Sequence, residues 1–261
     1  MYIKHFFLHY ILENIYFLIS LTGFFKTSTG IKFYQYSYEK YKILAEKKTL
    51  LQISSYIKTG SLAIDVGANI GVYAKIFSNA VGNEGKVIAI EPDPISLQVL
   101  ARKFPKSKSN VLIIEAAVSN KSGKLFLNQN KLSPARSYIS NKGLSIQSVT
   151  IDQVTLDNKI PLSVIKIDVE GAEGLVIYGG EKTIRKYRPV ILMEYTPDRL
   201  YNYGTDPIEL LTFLEKNGYS FCISGNKNNI KTLPIENIYK YAKSKFTIDL
   251  LCLPNLIGRE K

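Results

Sequence analysis

The sequence is poor in the side chains that form disulfides and bind soft metals. Its 261 residues include two cysteines, two histidines and no tryptophan. Cys222 and Cys252 lie in separate apolar stretches, and His5 and His9 are both near the N-terminus. These numbers exclude a disulfide framework and leave almost no ligands for a zinc site. Such cysteine usage is typical of a reducing cytoplasm, which is the location we expect.

Arginine is also scarce, although the chain is strongly basic. The formal net charge is +12, yet only six of the 34 basic residues are arginine, and the lysines are spread along the sequence. Arginine binds phosphates and guanine edges through two hydrogen bonds, whereas lysine acts as a hydrated point charge. The charge therefore indicates a generally basic surface rather than a nucleic-acid face. Attraction to an anionic membrane or an anionic substrate stays open.

An apolar segment at residues 5–25 is about long enough to span a membrane if it is helical. Its few polar residues recur every three or four positions, which predicts a helix with one narrow polar stripe. Three arrangements stay open: packing on its own domain or on a second subunit, lying in a membrane interface, or spanning the bilayer. The lysines that follow would suit the anionic inner face of a membrane. We take residues 1–49 as an N-terminal helical extension.

From residue 61 onward, short apolar runs alternate with helical segments, a pattern typical of parallel βαβ units. The predicted strands are 61–67, 86–92, 110–118, 163–169 and 189–195. The predicted helices are 70–81, 94–104, 173–187 and a further one after Pro207. The last two apolar runs, 219–224 and 246–254, have no predicted helix between them, so we expect a hairpin with an antiparallel last strand. The sequence thus predicts one α/β domain over residues 50–261.

Residues 119–150 interrupt this alternation. Two short strand-like runs, 124–128 and 145–151, flank a polar loop at 129–144. Long loops in compact domains often cover a functional site, and this one follows the third predicted strand. We therefore interpret the hairpin and its loop as a candidate lid over the binding site of a substrate, which is the acceptor of the reaction inferred below.

A glycine-rich turn follows the first predicted strand, in the stretch AIDVGANIG. Gly67 and Gly71 allow the backbone to approach a ligand closely. The turn lacks the G-x-G-x-x-G spacing that seats a pyrophosphate, since Asn69 replaces the middle glycine. S-adenosylmethionine has no phosphate, and Asp65 is placed to meet the cationic end of that molecule. The alternative is a turn that only packs a helix on a strand.

Carboxylates end the next two predicted strands. Glu91 follows Gly71 by twenty positions, where a carboxylate accepts hydrogen bonds from both hydroxyls of a ribose in related folds. Glu115 and Ala116 end the third strand, where an adenine edge would lie. Glu115 has the alternative of being a solvated surface carboxylate.

Acidic side chains also gather after the fourth predicted strand, in IKIDVEGAE, and at Glu194 on the fifth. In a strand, Asp168 and Glu170 share one face, and ligands bind beyond the carboxyl ends of such strands. Crowding of these two with Glu173 and Glu194 should raise some of their pKa values, which suits a general base.

Two alternatives to a general base stay open for this acidic group. In the first, Lys166 is buried and forms an ion pair with Asp65 or Asp168, because a lysine inside a covered strand needs a partner. In the second, the carboxylates hold a divalent cation such as magnesium, which prefers oxygen ligands.

Taken together, AIDVGANIG, IAIEPDP, EAAVSN, VTIDQV, IKIDVEGAE and PVILMEY resemble the FkbM family of methyltransferases over roughly residues 50–253. The resemblance implies a Rossmann-like fold with a seven-stranded, mostly parallel sheet, S-adenosylmethionine as donor, and O-methylation, often of sugars. It assigns donor binding to one group of residues by position: Asp65, Gly67, Asn69, Gly71 and Glu91. It places Asp168 and Glu170 at the acceptor end.

The expected reaction is direct transfer, in which a hydroxyl oxygen attacks the methyl group while Asp168 or a neighbouring carboxylate takes or orients the proton. Two other functions stay open. The basic charge would suit a nucleic-acid methyltransferase, although we do not expect nucleic acid as the partner. The apolar N-terminus would suit a donor-binding or membrane-scaffold protein without catalysis.

Overall fold

The structure is a computed structural model that describes residues 28–129, 137–225 and 231–255. The predicted apolar segment at 5–25 and much of the predicted acceptor loop lie outside these ranges.

A seven-stranded sheet forms the centre of the protein, and its strands are near-continuous apolar runs. The strands are β1 Leu62–Val66, β2 Lys86–Glu91, β3 Val111–Glu115, β8 Leu162–Ile167, β9 Val190–Tyr195, β10 Tyr219–Ile223 and β11 Ile248–Pro254. Their order across the sheet is β10-β11-β9-β8-β1-β2-β3. Such runs indicate strands covered on both faces. The predicted α/β fold with a mostly parallel sheet is confirmed.

The last strand, β11, is antiparallel to both of its neighbours, β9 and β10. The predicted orientation is right, but the predicted hairpin is wrong, because a helix at Ile235–Lys245 lies between the two closing strands. That helix buries only Ile238 and Ala242, spaced one turn apart, and its other positions are mostly polar. So narrow an apolar stripe gives little periodic signal in the sequence.

Helices cover both faces of the sheet. They are α1 Ser28–Ala45, α2 Lys47–Ser54, α3 Val72–Val81, α4 Pro94–Lys103, α5 Ile151–Thr155, α6 Glu173–Tyr178, α7 Glu181–Tyr187, α8 Pro197–Asn202, α9 Pro207–Lys216 and α10 Ile235–Lys245. Alternate β1 residues point to opposite faces. Ile64 belongs to the core cluster that includes residues of α6, α7, α9 and α10, whereas Ala63 belongs to the cluster that includes residues of α2, α3 and α4.

Local chemistry fixes where these helices begin and end. Asp93 caps α4 and Asp206 caps α9 in the same way, each accepting hydrogen bonds from two amides of the first turn and each followed by proline. The helix predicted over 173–187 is instead two helices. The break falls at Gly179, where a Cβ atom would lie 2.2 Å from the backbone oxygen of Ser119.

The predicted insertion forms a second sheet of four short strands. They are β4 Ala117–Val118, β5 Gly123–Asn128, β6 Tyr138–Ser140 and β7 Leu144–Val149, in the order β4-β7-β5-β6. Ile151, predicted as the end of a strand, begins α5, because Thr150 and Gln153 form a capping box. Gln129 and Ser137 both donate to Asp93, which fastens the sheet beside β2.

The N-terminal helices pack on the domain. Helix α2 runs across the predicted boundary between residues 49 and 50, and its Leu50 and Ile53 are buried in the core. Within the described ranges, no helix has both the length and the apolar content needed to cross a bilayer.

Candidate active site

The candidate site lies at the carboxyl edge of the parallel strands, where ligands bind in open α/β sheets. Strand β1 ends before the glycine turn, β2 ends in Glu91, β8 ends before Asp168 and β9 carries Glu194 near its end. Neighbouring strands therefore bring most of the predicted site residues to one edge.

The glycine turn is tightly held by the strands on both sides. The amides of Gly67 and Ala68 donate to the backbone oxygen of Ile90, at 3.0 and 3.1 Å. Gly67 has φ +70°, and a Cβ atom there would lie 1.9 Å from the backbone oxygen of Asp168. Position 67 therefore requires glycine, because any side chain would collide with the backbone that follows β8. The sequence alone does not reveal this reason. Gly71, also with positive φ, precedes helix α3.

Glu91 is held by backbone amides at the tip of β2. One carboxylate oxygen accepts from the Asn69 amide at 2.7 Å and the other from the Asp93 amide at 2.9 Å. Burial raises the pKa of Glu91 to about 7, against the opposing effect of these two hydrogen bonds. Each carboxylate oxygen has two acceptor positions, so one on each oxygen remains for a further donor. This arrangement fits the pair of hydroxyls of a ribose.

Asp65 has no exposed surface and uses its carboxylate inside the protein. It accepts from the Ala74 amide at 2.9 Å and lies 3.4 Å from the ammonium of Lys166. Burial raises its pKa, and Lys166 and Lys42 offset part of that rise. In this position Asp65 joins the first turn of α3 to Lys166. Its predicted contact with the cationic end of a donor stays a prediction.

The third strand places Glu115 in register with Glu91 on the neighbouring strand. The Glu115 side chain is exposed, whereas Ala116 is buried. Both lie where the sequence predicts an adenine edge, and their predicted role stays a prediction.

The prediction for Lys166 is confirmed. The side chain is only 3% exposed, and its ammonium lies 3.4 Å from a carboxylate oxygen of both Asp65 and Asp168. It also donates to the backbone oxygen of Gly67 at 2.9 Å. Lys166 therefore joins the end of β8 to the glycine turn.

Asp168 follows the end of β8 and lies between two ammonium groups. Lys166 is on one side, and Lys42 of helix α1 is on the other, at 3.4 Å. Burial alone would raise the pKa of Asp168, but these two lysines hold it well below its usual range. The carboxylate therefore stays ionised and is a weak proton acceptor. Glu170 does not share the strand face as predicted, because β8 ends at Ile167 and Glu170 has φ +57°.

Glu170 and Glu194 meet through Arg199 of helix α8. The guanidinium forms an ion pair with Glu170 and lies 3.4 Å from Glu194, which also accepts from the Thr247 hydroxyl at 3.2 Å. Burial raises the pKa of Glu194 well above its usual value, and the neighbouring carboxylates of Asp168 and Glu170 add to the rise. Glu194 is thus a better proton acceptor than Asp168.

The fourth acidic residue of the cluster, Glu173, holds the backbone of the turn after β8. It accepts from the amides of Val169 and Gly171, both at 3.1 Å, and burial raises its pKa to about 7. Among the residues that the structure describes, no three His, Cys, Asp or Glu side chains are grouped so as to hold a metal ion. The carboxylates at this edge face lysine and arginine instead.

Several site residues were not predicted from the sequence. Lys42 reaches Asp168 across 126 positions of the chain, and it also lies 3.7 Å from Glu46. The Tyr73 hydroxyl donates to Glu46 at 2.7 Å, and the Lys166 ammonium lies 5.2 Å from the centre of the Tyr73 ring. Lys42 is one of many lysines in this stretch, so nothing in the sequence marks it. The sequence could have indicated Arg199 as a partner of Glu194, because Arg199 lies only five residues after it.

The comparison with protein families gives one match. Residues 65–221, more than half of the chain, match the model of the methyltransferase FkbM domain. No curated protein matches the sequence.

Solved structures with a similar fold are distant in sequence. Methyltransferase FkbM from Methylobacillus flagellatus KT is 16% identical with a TM-score of 0.47, and the match covers 74% of this chain and 44% of that one. This chain thus spans less than half of that protein. A putative rRNA-methylase from Clostridium thermocellum is 9% identical with a TM-score of 0.49, covering 81% and 96%. An S-adenosylmethionine-dependent methyltransferase from Aquifex aeolicus is 16% identical with a TM-score of 0.42, covering 79% and 87%.

Proposed function

The chain belongs to the FkbM family of S-adenosylmethionine-dependent methyltransferases, and from that premise we propose that it methylates a hydroxyl group of a small molecule, namely a sugar. One observation carries the hydroxyl as acceptor. Glu194, whose pKa is raised, lies at the same edge of the sheet as the glycine turn. A carboxylate that binds a proton readily suits an acceptor that must lose one.

On the donor side, Glu91 would accept from the two ribose hydroxyls, and the turn from Gly67 to Gly71 would border the rest of the donor. Glu115 and Ala116 would lie beside the adenine. S-adenosylmethionine supplies the methyl group from its sulfonium. The free acceptor positions on Glu91 and the absence of a pyrophosphate-binding glycine pattern both support this donor.

On the acceptor side, taking the proton and orienting the hydroxyl would fall to different carboxylates. Glu194 would take the proton of the acceptor hydroxyl. Asp168, kept ionised by Lys42 and Lys166, would accept a hydrogen bond and orient that hydroxyl. Glu170 would fix Arg199 beside Glu194. Much of the acceleration would come from holding two bound reactants in line.

A sugar is proposed because the FkbM resemblance implies one and because its hydroxyls match the carboxylates at this edge. A cytoplasmic location, and attachment to the inner face of a membrane or to a second copy through residues 5–25, stay predictions.

The test is transfer of a labelled methyl group from S-adenosylmethionine to a panel of free sugars, nucleotide sugars and RNA. Label that survives mild alkali on a sugar supports the proposal, because methyl ethers are stable where methyl esters are hydrolysed. Label on RNA alone would replace it with the nucleic-acid function. Donor binding without transfer to any acceptor would favour a protein that binds the donor without catalysis.

A further inference from the structure

The side of helix α1 that faces the candidate site is polar. Glu39 forms an ion pair with Lys103 at 2.9 Å, and Lys42 reaches Asp168. One turn further on, Glu46 accepts from Tyr73. Positions 39, 42 and 46 lie on one face of a helix, so the charged stripe of α1 is turned toward the protein.

The outward side of the N-terminal helices is exposed, and its composition is unusual for a soluble surface. Every exposed residue from 36 to 51 is either lysine or apolar: Tyr36, Lys40, Ile43, Leu44, Lys47, Lys48 and Leu51. Leu44 is 65% exposed, Tyr36 64% and Leu51 49%. A surface helix normally turns its apolar stripe inward. In α1, by contrast, Leu44 faces outward while Glu39 and Lys42 face inward.

We propose that this outward side, which we call the lysine–leucine face, docks on the surface of an anionic lipid bilayer. Helices that lie in a membrane interface combine apolar side chains such as leucine and phenylalanine with lysines and arginines. The leucines would enter the boundary between headgroups and acyl chains, while the lysine ammoniums would reach the lipid phosphates. The face has no exposed acidic residue, and the whole chain carries a net charge of +12.

Two further observations favour a bilayer over a protein partner. Three of the seven exposed residues are lysines, and like charges would meet if a second copy packed on the same face. In the sequence, the apolar residues 5–25 also precede this face and end three positions before α1 begins. This docking does not depend on the proposed reaction.

The test uses the full-length protein and flotation with vesicles of phosphatidylcholine, with or without phosphatidylglycerol. We expect flotation only with the anionic vesicles, and we expect added salt to weaken it. Leu44→Glu/Leu51→Glu and Lys47→Glu/Lys48→Glu should each weaken vesicle binding at least tenfold, since each lysine near an anionic surface strengthens binding about fivefold.

Matched controls make the same chemical changes elsewhere on the surface. Leu156→Glu/Phe246→Glu replaces two exposed apolar residues, and Lys106→Glu/Lys108→Glu reverses two exposed lysines. Both should float like the unmodified protein. Binding of S-adenosylmethionine reports on folding in every variant and also tests the proposed function separately.

Three outcomes would overturn the proposal. One is the absence of binding to anionic vesicles. Another is unchanged binding by both face variants, which would assign attachment to residues 1–27. The third is a dimer in sedimentation that becomes a monomer in Leu44→Glu/Leu51→Glu, which would make a second copy the partner.

Discussion

The proposed donor and acceptor sides of the candidate site are built from different kinds of contact. On the donor side, backbone amides no more than 22 positions away hold the carboxylates: Asn69 and Asp93 donate to Glu91, and Ala74 donates to Asp65. On the acceptor side, charged side chains from distant segments hold them, as Lys42 holds Asp168. The donor side therefore depends on backbone geometry at the ends of neighbouring strands, and the acceptor side depends on contacts between charged side chains of distant segments.

The two sides touch at Gly67, and the largest effect is expected there. Gly67→Val would place a branched side chain against the Asp168 carbonyl at positive φ, costing about 5 kcal/mol of unfolding free energy from strain and overpacking together. Gly60→Val is the matched control, since Gly60 has φ +78° and open space around its Cβ position. Denaturant unfolding should show a much smaller loss for the control. Equal losses would mean that strain alone, without the contact, explains Gly67.

Lys166 connects the two sides through charge. Lys166→Met would leave Asp65 and Asp168 without their shared ammonium, and we expect a loss of about 4 kcal/mol in unfolding free energy. Lys75→Met, on the exposed face of α3, serves as control and should change stability little. Urea titration of both variants provides the measurement. A loss no larger than that of the control would show that the ion pairs are not required.

Within the acceptor side, Glu194 and Asp168 should differ in their effect on turnover. Glu194→Gln should lower kcat about 100-fold and remove the rise of rate with pH, because Glu194 is the proposed proton acceptor. Asp168→Asn should lower kcat less and keep that rise. Donor affinity should be unchanged in both. A larger loss in Asp168→Asn, together with loss of the pH dependence, would exchange the two roles.

On the donor side, the raised pKa of Glu91 predicts a pH effect on binding. With a pKa of about 7 in the free protein, Glu91 must release a proton before it can accept from two hydroxyls. Donor affinity should therefore rise about tenfold from pH 6 to pH 8 and then level off. Calorimetry on Glu91→Gln isolates the effect, because the variant keeps any titration that belongs to the donor. The same rise in the variant would remove Glu91 as its cause.

The difference between the two sides also explains what the sequence could predict. The strands and the residues at their ends follow from apolar runs and short motifs, so Gly67, Glu91 and Asp168 were assigned to one edge. Burial of Lys166 followed from its position inside a covered strand. These are properties of neighbouring residues.

The rest depends on how distant segments pack. Lys42 meets Asp168 only because α1 lies over the edge of the sheet, and no local pattern encodes that placement. For the same reason, only the structure shows that α1 turns an apolar residue, Leu44, toward solvent and its charged residues toward the protein. Helix α10 was missed because two buried positions are too few to establish a helical period.

The central claim is that the donor binds at the carboxyl edge of β2 through Glu91. Two glutamates flank this strand: Glu91 at its carboxyl end, and Glu84, exposed, before its amino end. Calorimetric titration of S-adenosylmethionine should show binding weakened about tenfold to a hundredfold in Glu91→Ala, since a carboxylate that accepts hydroxyl hydrogen bonds is lost. Glu84→Ala should bind like the unmodified protein. Undiminished binding in Glu91→Ala, or equal weakening in both variants, would contradict the assignment of the donor site.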